Sequence, residues 1–165
     1  MRPFLFGSII GTLNNRGADM NDSTSAEDMR DILLKVKTIA VVGASDKPNR
    51  AAHGVMKFLQ EKGFRCIPVS PRLAGKILLG EKVYASLGDI PESVDMVDVF
   101  VNSEIAGPVT DEAIAIGARV VWMQLGVINE PAAEKARTAG LQVVMDHCPA
   151  QEWGRLGLDA KEFSF

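Results

Sequence analysis

Reactive side chains are scarce in this sequence. Cysteine and histidine occur twice each in 165 residues. Cys66 and Cys148 lie far apart, and neither stands at metal-ligand spacing from His53 or His147. That removes the usual zinc patterns and leaves a reducing, cytoplasmic compartment as the expectation. A basic excess is missing too: 18 Lys and Arg face 21 Asp and Glu, for a net charge of −3. No nucleic-acid-binding face is therefore expected. No apolar run reaches the ~18 residues that a bilayer span requires, so no membrane partner is expected either. Internal repeats and low-complexity tracts are absent. What is present is a chain with 47% hydrophobic and 24% charged residues. That composition is globular, and the length suits one well-buried domain but not two.

The opening "MRPFLFGSIIGTLNNRGAD" stands apart, with no acid before Asp19 and a second start-like methionine at Met20. Asn14-Asn15-Arg16 is no small-residue cleavage site, so a secretory signal is disfavoured. Arg2 and Arg16 keep an organelle presequence as the alternative to a non-functional extension. Residues 1–24 are expected to be a disordered extension, and residues 25–165 the folded domain.

From there, helical and strand patterns alternate. "STSAEDMRDILLKV" offers Ser25 as an N-cap with Asp28 three residues on, and Met29, Ile32, Leu33 and Val36 on one helical face. The β-branched run 39–42 predicts a buried strand, and 51–62 a helix ended by Gly63. "FRCIPV" (64–69) predicts the second strand. Residues 72–96 read as irregular, with a short strand at Val83-Tyr84 and a helical turn near Leu87. "MVDVFV" (96–101), "RVVWMQ" (119–124) and "LQVVMD" (141–146) predict strands. Helices are expected at 104–117 and after Asn129, with a closing turn at 151–156. Strands alternating with helices specify an α/β fold: a three-layer, Rossmann-like, doubly wound parallel sheet.

In such a sheet, ligands bind beyond the carboxyl ends of the strands where the strand order reverses. Right-handed crossovers put the 39–42 strand between the 64–69 and 96–101 strands. Gly43-Ala44-Ser45, Ser70-Pro71-Arg72 and Phe100-Val101-Asn102 then line one crevice. Free N–H groups at the start of the following helix favour an anion there. Gly43 permits close backbone approach, and Ser45 adds a hydroxyl donor. The competing reading is an ordinary strand–helix turn that holds nothing.

Familiar nucleotide signatures fit poorly. Of G-x-G-x-x-G only Gly43 is present, and the second strand ends in Ser70-Pro71-Arg72 in place of the acid that holds a ribose. "LAGKI" (73–77) is no P-loop, since Ile77 replaces the Mg²⁺-binding Ser/Thr and the upstream glycine is missing. NAD and ATP are disfavoured. Hydroxyl, proline and cation suit a phosphorylated ribose, which keeps NADP open.

"IAVVGASDKPNR", "PVSPRLAGKILLG", "VDMVDVF", "WMQLGVINE" and "GLQVVMDHCPA" occur in that order. In these blocks residues 28 to about 158 resemble the small bacterial CoA-binding proteins of the YccU type. Their fold is similar to the CoA-binding domain of the succinyl-CoA synthetase α subunit. The resemblance implies coenzyme A or acyl-CoA as ligand. It implies that Gly43, Ala44 and Ser45 meet the pyrophosphate, and that Ser70, Pro71 and Arg72 flank the 3′-phosphoadenosine, with Arg72 or Lys76 on the 3′-phosphate. Met123, Gln124, Leu125 and Gly126 would close the adenosine or pantetheine side. Lys47, Arg50 and Val101 complete the implied set. At Val101 the chain departs from the family, whose members usually carry arginine there.

A catalyst is not evident. His53 and His147 lack visible acid–base partners, and a packed or solvated histidine is the expectation for each. Cys148 is expected as a small apolar filler and Cys66 as core. Asp95 and Asp98 are expected as capping or loop residues. Trp122 is expected in the core. The function expected is CoA or acyl-CoA binding without chemistry of its own. The alternatives are a detached subunit of an NDP-forming acyl-CoA synthetase and an NADP-dependent reductase. A protein partner or homo-oligomer stays open.

Overall fold

The computed structural model describes residues 24–159, so the expected N-terminal extension lies outside the described residues. The chain runs α1 (Ala26–Lys35), β1 (Thr38–Val42), α2 (Ala51–Glu61), β2 (Arg65–Val69), β3 (Ile77–Leu78), β4 (Glu81–Lys82), a 3-10 turn (Leu87–Asp89) and β5 (Met96–Val99). It continues with α3 (Ala106–Ala115), β6 (Val120–Met123), α4 (Glu130–Thr138), β7 (Gln142–Val144) and α5 (Pro149–Arg155). The main sheet has the order β2-β1-β5-β6-β7, and every pairing in it is parallel.

All four residues of β5 and of β6 are buried, because helices cover both faces and the strands are continuously apolar. Met29, Ile32 and Leu33 of α1, Met56 and Leu59 of α2, and Trp153 of α5 share one core with Ile39, Val41 and Trp122. On the other face Val109 and Ala113 of α3 and Ala132, Ala133 and Ala136 of α4 pack on Val97, Val121 and Val143. This is the three-layer, doubly wound arrangement that the alternating pattern specifies. Met56 and Leu59 are 0% exposed, and each such burial contributes roughly 1.5–3 kcal/mol. They fix the axis of α2, and with it the start of the helix at the crevice.

Local signals act as expected at several ends. Ser25 and Asp28 form a reciprocal capping box, and Asn129 Oδ1 accepts the Ala132 N–H at 3.0 Å. Pro68 sits in β2, an edge strand, where its missing N–H is tolerated.

Three local expectations are corrected. The strand placed at Val83-Tyr84 lies earlier, as a hairpin of Ile77–Leu78 on Glu81–Lys82; Tyr84 makes only an isolated bridge to Val69. The hairpin turns on Leu79 (φ 50) and Gly80 (φ 83), a positive-φ pair that Asn-Gly would have advertised and Leu-Gly does not. The closing turn is a helix that begins at Pro149, whose fixed φ suits a first helical position.

The third correction concerns Asp98. It is no cap or loop residue: it lies within β5, is 0% exposed, and is flanked by Val41 and Trp122 on the neighbouring strands. Neither carboxyl oxygen has a hydrogen-bond partner among the described residues. Burial pushes this carboxyl well above the usual carboxylate range. The folded protein therefore keeps a proton that the unfolded chain releases near pH 4. The stabilisation is complete below about pH 4 and is lost as pH rises toward the folded-state pKa, by up to about 1.4 kcal/mol per pH unit. Asp98→Asn should flatten that decline in chemical denaturation as pH rises above about 4. An unchanged slope would assign it to other groups.

Candidate functional site

The strand order reverses between β1 and β5, which marks the crevice beyond their carboxyl ends. Gly43 leaves β1 with φ 91. A β-carbon built on it would stand 3.2 Å from the Phe100 carbonyl carbon, Phe100 Cβ and Val101 Cγ1. The positive φ and the tight space both favour glycine here. The N–H groups of Gly43 and Ala44 donate to the Val69 carbonyl at 3.0 and 3.2 Å, so these two residues shape the loop and offer no free amide. Ser45 Oγ accepts the Lys47 N–H at 3.1 Å and keeps its own proton to donate. Helix α2 then starts from Arg50 with no side-chain cap and no acid in its first turn. Its partial positive charge faces the crevice without a protein counter-charge from that turn. Lys47 and Arg50 are exposed beside it.

From β2, Ser70 is buried and donates its N–H to the Tyr84 carbonyl at 2.9 Å. The buried Leu73 anchors the following turn, leaving Pro71, Arg72 and Lys76 exposed. The Arg72 guanidinium reaches to 3.8 Å from the Asp46 carboxylate, joining the 70–76 loop to the 43–50 loop. So exposed a pair contributes under about 1 kcal/mol, and a stronger anion can displace it. From β5, Phe100 donates its N–H to the Val42 carbonyl at 2.8 Å, which draws Val101 against Gly43. Val101 is half-buried, with its remaining surface packed toward the α3–α4 core.

The end of β6 is held on both sides. Gly126 donates its N–H to Asp146 Oδ1 at 2.7 Å. Ser103 Oγ accepts the Ile128 N–H at 3.0 Å, and the Ser103 carbonyl accepts from Asn129 Nδ2 at 2.8 Å. Sequence reasoning missed both clamps; Asp146 at φ 62 is a short polar residue in a conformation that Asp tolerates, which is the one signal it gave. Gln124 is buried, and its Oε1 has no partner among the described residues. Alternation from Trp122 places Gln124 on the α2 side of the sheet. Leu125 is exposed beside it.

The residues considered for catalysis are elsewhere engaged. Trp122 is fully buried and donates Nε1–H to the His147 carbonyl at 2.9 Å, while His147 Nδ1 lies 2.8 Å from the Met145 carbonyl. Cys148 is buried in the core as the N-cap residue of α5, and burial pushes the Cys66 thiol up to about 12. Burial opposes ionisation of Asp95, yet hydrogen bonds from Arg119, Lys37 and Thr38 hold its carboxyl below its usual range. That ties the opposite edge of the sheet together. No group of three or more metal-ligating side chains occurs among the described residues. A cavity of about 500 Å³ also lies at that opposite edge, between Leu33, Phe64 and Trp153. It is remote from the strand ends that bind ligands in this architecture.

Residues 37–154 match the family described as CoA binding domain. The chain belongs to that family. It is 40% identical to the Bacillus subtilis protein YneT over 75% of this chain and 90% of that protein. It is 31% identical to the Pyrococcus furiosus acetate–CoA ligase [ADP-forming] I subunit alpha over 68% of this chain, but spans only 27% of that subunit. Among solved structures, a hypothetical protein from Pyrococcus horikoshii OT3 superposes with a TM-score of 0.78 at 43% identity, covering 82% of this chain and 94% of that one. The chain is thus similar to part of an ADP-forming acetate–CoA ligase subunit, and its fold is Rossmann-like.

Gly43 provides a direct check on the crevice geometry. Gly43→Ala should lower stability by about 1–3 kcal/mol, since it combines a positive φ with a close backbone contact. Urea unfolding measures it, and a neutral substitution would show that the β1 and β5 ends can separate.

Proposed function

We propose that the protein binds CoA or acyl-CoA in the crevice between the ends of β1 and β5, with no chemistry of its own. The observation that carries this reading is the bare start of α2 at the switch point, flanked by Lys47, Arg50 and Arg72, in a chain of the CoA binding domain family. The site fits the ligand on two counts. The first turn of α2 carries no acidic residue, and Gln124 Oε1 is a buried acceptor with no partner among the described residues. The helix start and the Ser45 hydroxyl suit the pyrophosphate. Arg72 or Lys76 suits the 3′-phosphate, where an acid would be needed for the free ribose of NAD. Gln124, Leu125 and Gly126 lie along the amide-bearing pantetheine arm. CoA, when bound, supplies a thiol that carries acyl groups; the chain's residues hold and orient it.

A second reading, a detached subunit of an NDP-forming acyl-CoA synthetase, is favoured by the likeness to the Pyrococcus furiosus subunit. Acyl-CoA synthesis appearing only when a nucleotide-binding partner is added would establish it.

Isothermal titration should show binding of CoA and none of NAD. Dephospho-CoA should bind more weakly by roughly 1.5–3 kcal/mol, the value of a hydrogen bond to a charged group. Arg72→Ala should erase that difference; equal affinities in the unaltered protein would remove Arg72 from the role.

Position 101 yields a second expectation. Because the Val101 side chain borders Gly43, an arginine there can reach the pyrophosphate from the β5 side. Val101→Arg should tighten CoA binding by roughly tenfold, ~1.4 kcal/mol, with the gain shrinking at high salt. Unchanged affinity with lowered stability would place position 101 in the core alone.

A further inference from the structure

Beyond Gln124 the crevice edge changes character. Ile105, Leu125 and Ile128 are 47%, 53% and 47% exposed; the other exposed large aliphatic residues among those described, Leu34 on α1 and Ile77 on the β3 hairpin, lie in other elements. The loops that carry them are fastened to one residue. Ser103 Oγ accepts the Ile128 N–H at 3.0 Å and lies 3.4 Å from the Gly126 carbonyl, and Ile105 follows two positions after Ser103. The apolar side chains therefore stand on a fixed edge at the ends of β5 and β6.

Their place along the sheet gives them a direction. Strands lie about 4.8 Å apart, in the order β2-β1-β5-β6-β7. The exposed cations Arg72 and Lys76 follow β2, and the bare helix start follows β1. A ligand with one phosphate at β2 and its pyrophosphate at β1, continued in the same direction, runs its remaining arm over β5 and β6. It passes the unpartnered Gln124 acceptor and ends at the aliphatic edge.

We infer that this edge seats the acyl chain of a medium-chain acyl-CoA, so that the protein prefers acylated to free CoA. This rests on the proposed CoA-binding reading and specifies its ligand class. Three half-exposed side chains suit one alkyl chain. They fall far short of the ~800 Å² that each partner buries in a stable protein complex.

The test compares CoA, acetyl-CoA and octanoyl-CoA by isothermal titration. Octanoyl-CoA should bind at least about tenfold more tightly than CoA, with acetyl-CoA close to CoA. The double variant Ile105→Ser with Ile128→Ser should abolish the chain-length preference while leaving free-CoA affinity and thermal stability unchanged. Ile77→Ser, on the exposed β3 hairpin, should leave the preference intact. CoA binding without any chain-length preference overturns the inference and spares the proposed function; failure to bind any CoA species overturns both. Loss of self-association in the double variant, with no chain-length effect in the unaltered protein, would make the edge a protein interface and reject the acyl seat.

Discussion

At the end of β1 the backbone runs so close to the end of β5 that a β-carbon would stand only 3.2 Å from Phe100 and Val101. The packing of Gly43 against Phe100 and Val101 governs everything built at that edge of the sheet. It lets β1 and β5 stay paired to their last residues. It turns the following loop toward β2, where the Val69 carbonyl receives the Gly43 and Ala44 amides, and it delivers α2 to the crevice with its first turn uncapped. The polar character of the site follows from the course that this glycine gives the loop.

Much of this is legible in the sequence because it depends on patterns with a simple physical basis. Continuous β-branched runs specify strands covered on both faces. Ser25 and Asn129 set helix starts, and Gly63, Gly117 and Gly140, all at positive φ, stop helices. Right-handed crossovers alone suffice to place β1 between β2 and β5. What resists reading is whatever depends on a partner distant in the chain. Asp98 in a strand of apolar neighbours looks like a residue near a turn, because its burial is decided by α2 and α5 packing above it. The Leu79-Gly80 hairpin uses a residue pair that does not announce a positive-φ turn. At the site, the sequence points to Gly43 and to the cations, yet it does not reveal that the Gly43 and Ala44 amides are already taken. Ser103 and Asp146, which fix the 124–128 loop, bind backbone groups more than twenty residues away or exactly that far along the chain.

The two faces of the sheet carry different burdens. The α3–α4 side is aliphatic and made of small helix residues. On the α1–α2–α5 side the buried oxygens of Asp98 and Gln124 and Oε1 of Glu152 lack partners among the described residues, as does Arg137 Nη2 on α4, while Glu152 Oε2 receives Arg155 at 3.0 Å. Polar atoms without partners in a core cost stability. Of these, Gln124 stands at the end of β6, beside the crevice.

The edges of the main sheet have a separate consequence. On β2, Pro68 lacks an N–H, and its carbonyl is taken by Tyr84 at 3.0 Å. Tyr84 also bridges Val69. On β7, only three residues long, the Val143 carbonyl is taken by the Thr24 hydroxyl. Neither border offers a long row of open backbone groups, the feature by which sheets recruit further strands and grow into aggregates. The short hairpin after β2 and Thr24, ahead of α1, thus act as protective margins at the two borders of the sheet.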